Sequence, residues 1–161
     1  MNVMLKEIIS GGQTGADRAA LDVAIKAGIP HGGWIPKGRK AEDGVLPDKY
    51  QLQEIPTASY SKRTEQNVLD SDGTLIVSHG KLNGGSALTR RLAEKHKRPH
   101  IHLDMNGLST DDAADALRAW IENNGIIILN VAGPRTSKDP DIYNATAKVL
   151  ETLFMDGLED E

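Results

Sequence analysis

The chain has 161 residues, 39% hydrophobic, 26% charged and only 4% aromatic, a globular composition that suits one domain around one aliphatic core. It has no cysteine, which removes disulfides, zinc–thiolate and iron–sulfur sites and cysteine nucleophiles, and its net charge of -4 argues against broad attachment to nucleic acid. No apolar run approaches the roughly 20 residues that cross a bilayer, and Met1 to Glu7 lacks the apolar segment of a secretory signal, so a cytoplasmic protein with no membrane partner is expected.

Leu5 to Ser10 reads as a short buried strand, followed at once by Gly11-Gly12-Gln13-Thr14-Gly15. A helix begins near Ala16, where Ala16, Ala19, Ala20, Val23, Ala24 and Ala27 form a thin stripe for close packing on a sheet, and Gly28 caps its end. A second strand is expected through Ile29 to Ile35, then a long functional loop with little regular structure from Pro36 to Ser59. Ser61 is placed as the cap of a helix from about Lys62 to Leu69. A strand (Gly73 to Ser78), a glycine-rich loop (His79 to Ser86) and a helix (Ala87 to Lys97) follow.

His100 to Leu103 reads as another strand. Ser109 or Thr110 then caps a helix with Asp111 and Asp112 in its first turn, where the helix dipole favours acids, and Gly125 ends it. Ile126 to Val131 is the β-branched run of a central parallel strand covered on both faces. Asp139-Pro140 reads as cap and first residue of the last helix, lined by Ile142, Ala145, Val149 and Leu153. The alternation predicts a single-domain, Rossmann-like three-layer α/β sandwich with a mainly parallel sheet over residues 1–155, and an acidic tail over 156–161.

Three strand-to-helix junctions carry the chemistry. In Gly11-Gly12-Gln13-Thr14-Gly15-Ala16-Asp17, glycines let the backbone approach a ligand, the following helix aims N–H groups at an anion, and Thr14 adds a hydroxyl. The pattern is neither G-x-G-x-x-G nor a P-loop, so a dehydrogenase is not indicated. The second junction is Asn83-Gly84-Gly85-Ser86, in which Ser86 caps the helix with or without a phosphate. The third, Gly133-Pro134-Arg135-Thr136-Ser137, offers a guanidinium for a phosphate or carboxylate, with Ser137 beside it. In an open parallel sheet all three loops project from the same carboxyl edge.

Arg63 and Asn67, four apart on a helix, share a face and reach toward one ligand or toward solvent. Lys37 belongs to a basic patch with Arg39 and Lys40. His79 ends a strand and is the best histidine for a polar ligand contact. His100 and His102 make a poor metal site, and no metal held by protein side chains is expected.

Ile8-Ile9-Ser10-Gly11-Gly12-Gln13-Thr14-Gly15-Ala16-Asp17, Gly33-Trp34-Ile35-Pro36-Lys37-Gly38-Arg39, Arg63-Thr64-Glu65-Gln66-Asn67-Val68, Asp70-Ser71-Asp72-Gly73-Thr74-Leu75-Ile76 and Asn130-Val131-Ala132-Gly133-Pro134-Arg135 resemble the molybdenum carrier (MoCo carrier) family. That family is similar to the Rossmann-like LOG/Smf-DprA (SLOG) group, with elements circularly permuted relative to LOG. The resemblance implies binding of molybdenum cofactor (molybdopterin) or a nucleotide as a small phosphorylated ligand. It further implies self-association as a dimer or tetramer and delivery to recipient molybdoenzymes. LOG hydrolases follow their paired glycines with Gly-Thr and a catalytic glutamate. Here Ala87 and Leu88, then Arg90 and Arg91, stand in those places, with Glu94 a turn later. An arginine neither stabilises an oxocarbenium ion nor acts as a general base, so the departure favours a binding protein. The rival readings are a nucleotide phosphoribohydrolase using Asp17, Asp70 or Glu65, and a nucleotide-ligand sensor.

Overall fold

The computed structural model describes the backbone of residues 5–159 and the side chains of residues 5–155. Five parallel strands form the main sheet: β1 (Glu7–Ser10), β2 (His31–Gly32), β7 (Gly73–Ser78), β8 (His100–Asp104) and β9 (Ile128–Ala132), in the order β2-β1-β9-β7-β8. The last strand in the chain is thus the middle one, with Leu129 beside Ile8 and Gly73, and Val131 beside Ser10 and Leu75. Every residue of β7 is buried, as the apolar runs of an inner parallel strand require.

Helices α1 (Ala16–Ala27), α4 (Thr110–Asn124) and α5 (Ile142–Glu159) pack together over the main core, while α2 (Tyr60–Asp70) and α3 (Gly84–Lys95) pack against each other. The alanine stripe of α1 is buried at Ala16, Ala19, Ala20 and Ala24, so the helix sits close to the sheet and to α5. Leu117, Val149, Leu150 and Leu153 fill the same core. Truncating any one of these leucines to alanine removes roughly 2–5 kcal/mol of stability. Gly28 and Gly125 end α1 and α4 in the left-handed conformation that glycine adopts without strain. Ser109 caps α4, its hydroxyl accepting from the Asp112 N–H at 3.1 Å.

Several boundaries differ from those expected of the sequence. The second strand is broken at Gly33, which has φ 126 and whose Cβ, if present, would stand 2.1 Å from the Ser10 carbonyl oxygen. The chain therefore leaves the main sheet after Gly32, and β3 (Trp34–Ile35) pairs instead with β6 (Gln53–Glu54). The long segment between them is not structureless. It holds a hairpin, β4 (Lys40–Ala41) with β5 (Gly44–Val45), and a second small core of Leu21, Ile35, Leu46, Tyr50 and Leu52. Arg39 organises this segment by donating to the carbonyls of Leu46, Pro47, Tyr50 and Leu52.

Ser59, not Ser61, caps α2, accepting from the Lys62 N–H. Helix α3 begins at Gly84, so Gly84, Gly85 and Ser86 form its first turn and Ser86 is not its cap. The last helix begins at Ile142, leaving Pro140 in the preceding turn, while Asp139 Oδ1 accepts from the Asp141 N–H. Helix α5 runs on to Glu159, into the expected acidic tail, whose residues 160–161 lie outside the described residues. Among the described residues, no helix is long and apolar enough to cross a membrane.

Candidate functional site

From β1 the chain moves outward to β2, and from β7 outward to β8, so the sheet reverses direction around β9. Open parallel sheets bind ligands at such a switch point, beyond the carboxyl ends of the strands. A cleft of about 270 Å³ lies there. Gly11 and Gln13 come from the loop after β1, Asp17 from the start of α1, Tyr60, Arg63, Thr64 and Asn67 from α2, Asn83 from the residue before α3, and Gly85, Ser86, Leu88 and Thr89 from α3. The wall is completed by Asn130, Val131 and Ala132 of β9 and by Gly133, Pro134, Arg135 and Lys138 beyond it.

The three expected junctions do converge, but their residues divide the work differently from the expectation. Arg63 Nη1 donates to the Gly11 carbonyl at 2.6 Å and stands 3.9 Å from Asp17 Oδ2. A Cβ on Gly11 would lie 2.1 Å from that nitrogen, so the glycine is what admits the guanidinium. Gly12, by contrast, does not face the cleft. With φ 75 it packs on Leu52, Leu46 and Ile35, and serves the small core rather than a ligand. Gly15 stands outside the cleft too, where a Cβ would come 2.3 Å from the Pro134 carbonyl oxygen, and Gly133 lies against Ala16 and Val77.

Asp17 is 8% exposed, and burial pushes its carboxyl up to about 6 despite the opposing charge of Arg63 and a hydrogen bond from the Gln13 N–H. Asn67 is spent on Trp34: its Oδ1 accepts from the Trp34 N–H at 2.8 Å and its Nδ2 donates to the Trp34 carbonyl at 3.1 Å. Asn130, buried on the cleft floor, donates through Nδ2 to Thr74 Oγ1 at 3.2 Å, and its carbonyl oxygen has no partner among the described residues.

Thr14, Arg135 and Ser137 are gathered around a residue the sequence reading missed, Glu42 at the turn of the β4–β5 hairpin. Ser137 donates to it from N–H (3.0 Å) and Oγ (2.6 Å), Thr14 from its hydroxyl, and Arg135 Nε stands 3.4 Å away. Gln13 Oε1 in turn accepts from the Glu42 N–H at 2.8 Å. Desolvation pushes the Glu42 carboxyl up, but the Ser137 and Thr14 hydrogen bonds and the Arg135 charge outweigh it and hold the group below its ordinary value. Arg135 reaches the cleft rim already paired.

Lys37 lies outside the cleft, its N–H donating to the Thr57 carbonyl. His79 and Gly84 also fall outside it; His79 lines a neighbouring cleft and bonds to Asp139. His102 bonds to Ser78 Oγ at 2.6 Å and to Arg90, and burial with the Arg90 charge lowers its pKa. His100 lies 3.8 Å from Glu94, which together with Arg90 and Arg91 is absent from the cleft wall. Of the carboxylates weighed for hydrolysis only Asp17 lines it. Asp70 bonds to the Trp34 indole at 2.5 Å, and a hydrogen bond from His96 holds Glu65 below its ordinary value. Besides Glu42, the residues the sequence reading overlooked are Tyr60, Thr64, Leu88, Thr89, Asn130 and Lys138. The helical spacing of Tyr60, Thr64 and Asn67 was the available signal. Among the described residues no group of three or more histidine, aspartate or glutamate side chains is placed to hold a metal ion.

The family model of the circularly permutated YpsA SLOG proteins matches residues 8–154. The chain belongs to that family. This SLOG chain is also 59% identical to a protein of Syntrophus aciditrophicus SB named "Putative molybdenum carrier protein", whose 1.45 Å crystal structure superposes with a TM-score of 0.94 over 95% of this chain and 97% of that one. A second solved structure, that of (E)-4-hydroxy-3-methyl-but-2-enyl diphosphate reductase, covers 91% of this chain and 59% of that chain at 12% identity and a TM-score of 0.36, and carries no argument. No curated protein is significantly similar to this SLOG chain.

Proposed function

We propose that the protein is a binding or carrier protein for molybdenum cofactor or a related phosphorylated pterin or nucleotide, with the ligand's phosphate at the start of α3. One observation carries this reading. The first N–H groups of α3 have no side-chain cap, since Asn83 makes no capping hydrogen bond, and Ser86, only 7% exposed on the cleft wall, has a hydroxyl with no hydrogen-bond partner among the described residues. A Cβ on Gly84 would stand 2.8 Å from Lys138 Nζ, so a cation also rests against the positive end of this helix. Those two like-signed ends face each other favourably only with an anion between them, and a phosphate supplies acceptors for Ser86, the Gly85 N–H and Lys138 together.

The donor set fits a pterin or a purine ring in the remainder of the cleft. Asp17, Arg63 and the free oxygen of Asn130 offer a carboxyl, a guanidinium and an acceptor to the polar edge of such a ring. Bound this way, the cofactor would supply molybdenum held through the pterin, its phosphate and oxo groups. The chain has no thiolate to offer. The name of the Syntrophus relative supports the carrier side of this reading. Transfer to a recipient molybdoenzyme and assembly as a dimer or tetramer belong to the same proposal. Native mass spectrometry of protein purified from its own source is expected to show a retained phosphorylated pterin or nucleotide, in particles of two or four chains. Ligand-free monomers would oppose both.

Asp17 favours a second reading, nucleotide hydrolysis, because a carboxyl titrating near 6 in a cleft suits proton transfer. The carrier reading expects no base release from nucleoside monophosphates, measured chromatographically. Turnover that disappears in Asp17→Asn would establish the enzyme instead.

A further inference from the structure

A second cleft, of about 650 Å³, adjoins the first and shares Asn83, Ser86, Pro134 and Lys138 with it. The shared residues include Ser86 and Lys138, which hold the phosphate in the function proposed above, so the phosphate site has an open cavity on each side. A phosphomonoester fills one side and leaves the other empty. We infer that the ligand is two-sided: a phosphate-bridged pair of ring systems, of dinucleotide type, with the bridge at Ser86 and Lys138 and the second ring in the second cleft. This inference rests on the phosphate reading of the α3 terminus.

The second cleft is built rather than incidental. His79 Nδ1 lies 2.7 Å from Asp139 Oδ2, a bond that fixes the imidazole and leaves Nε2 without a partner among the described residues. Asp104 Oδ1 accepts from the N–H groups of Gly80 (2.8 Å) and Asn106 (3.0 Å), pinning the loop that carries His79. The lining pairs apolar Leu82, Pro134 and Pro140 with His79, Asn106 and Lys81, which suits a flat ring with polar edges and exceeds what a lone second phosphate needs.

Calorimetric titration with GMP, GDP and a diphosphate-bridged diguanosine tests this. Guanine shares its aminopyrimidinone edge with pterins, so GMP probes the first cleft alone. The bridged compound is expected to bind about tenfold or more tightly than either GMP or GDP, because the second ring engages at high effective concentration. His79→Ala should remove most of that advantage while changing GMP affinity less than about twofold. Lys81→Ala, at an exposed position, should reduce the advantage in the same direction. Bridged diguanosine binding no better than GDP, or an advantage indifferent to both variants, would overturn the second ring site while leaving the phosphate reading intact. Failure of all three compounds to bind would remove the phosphate reading and this inference with it.

Discussion

Asp17 sits where folding makes its charge unfavourable. Its carboxyl titrates near 6 in the folded chain against an ordinary value of 3.8, because burial outweighs the Arg63 guanidinium. The native state therefore holds this proton more tightly than the unfolded chain does. The group's contribution to stability is full below about pH 4 and is lost as pH rises through 6. Urea unfolding of wild type and Asp17→Asn at pH 4 and pH 7 is expected to show the asparagine variant gaining roughly 3 kcal/mol relative to wild type at the higher pH. A constant difference at both pH values would mean that Asp17 is solvated. The two glycines before it have opposite sensitivities. Gly11→Ala drives a Cβ into the Arg63 guanidinium and is expected to weaken GMP binding with little loss of stability, whereas Gly12→Val meets Leu52, Leu46 and Ile35 at a left-handed φ and should destabilise the fold. Thermal unfolding and calorimetry on both variants separate the two effects; the reverse assignment would contradict the geometry. The sequence puts both glycines in one loop after β1. Which of them faces the ligand depends on residues some 20 to 50 positions away, which no local pattern reveals.

At the scale of elements, the hairpin β4–β5 is the piece the sequence hid. Its strands are two residues each, too short for any alternation to register within the long loop expected from Pro36 to Ser59. Its function in the fold is concentrated in Glu42, which ties Gln13, Thr14, Arg135 and Ser137 into one cluster at the rim of the cleft. Glu42→Ala is expected to raise hydrogen exchange at the Ser137 amide by about tenfold or more, without unfolding the main sheet. Unchanged exchange at Ser137 would show that the loops hold each other without the hairpin. Helices were more legible, because a cap and an apolar stripe are local: Gly28, Ser109 and Gly125 stand where those patterns put them. The start of α3 was misplaced because two glycines resemble a loop. Both lie in its first turn, and a side chain at Gly84 would meet Lys138, a residue distant in sequence.

For the whole molecule, the alternation of strand and helix was enough to predict a parallel α/β sandwich, and the run at Ile126 to Val131 pointed to the central strand. The strand order was not readable, since nothing local says that the last strand inserts between β1 and β7. That insertion creates the switch point and brings the loops after β1 and β9 and the start of α3 to one cleft, so the proposed function depends on what binds at the start of α3. The most direct measurement is an amide NMR titration of the isotopically labelled protein with inorganic phosphate and then with GMP. Saturable shifts are predicted at Gly84, Gly85 and Ser86, lost in Ser86→Val combined with Lys138→Ala. Shifts confined to Thr136 and Ser137, or none at the start of α3, would contradict the phosphate site and the carrier function built on it.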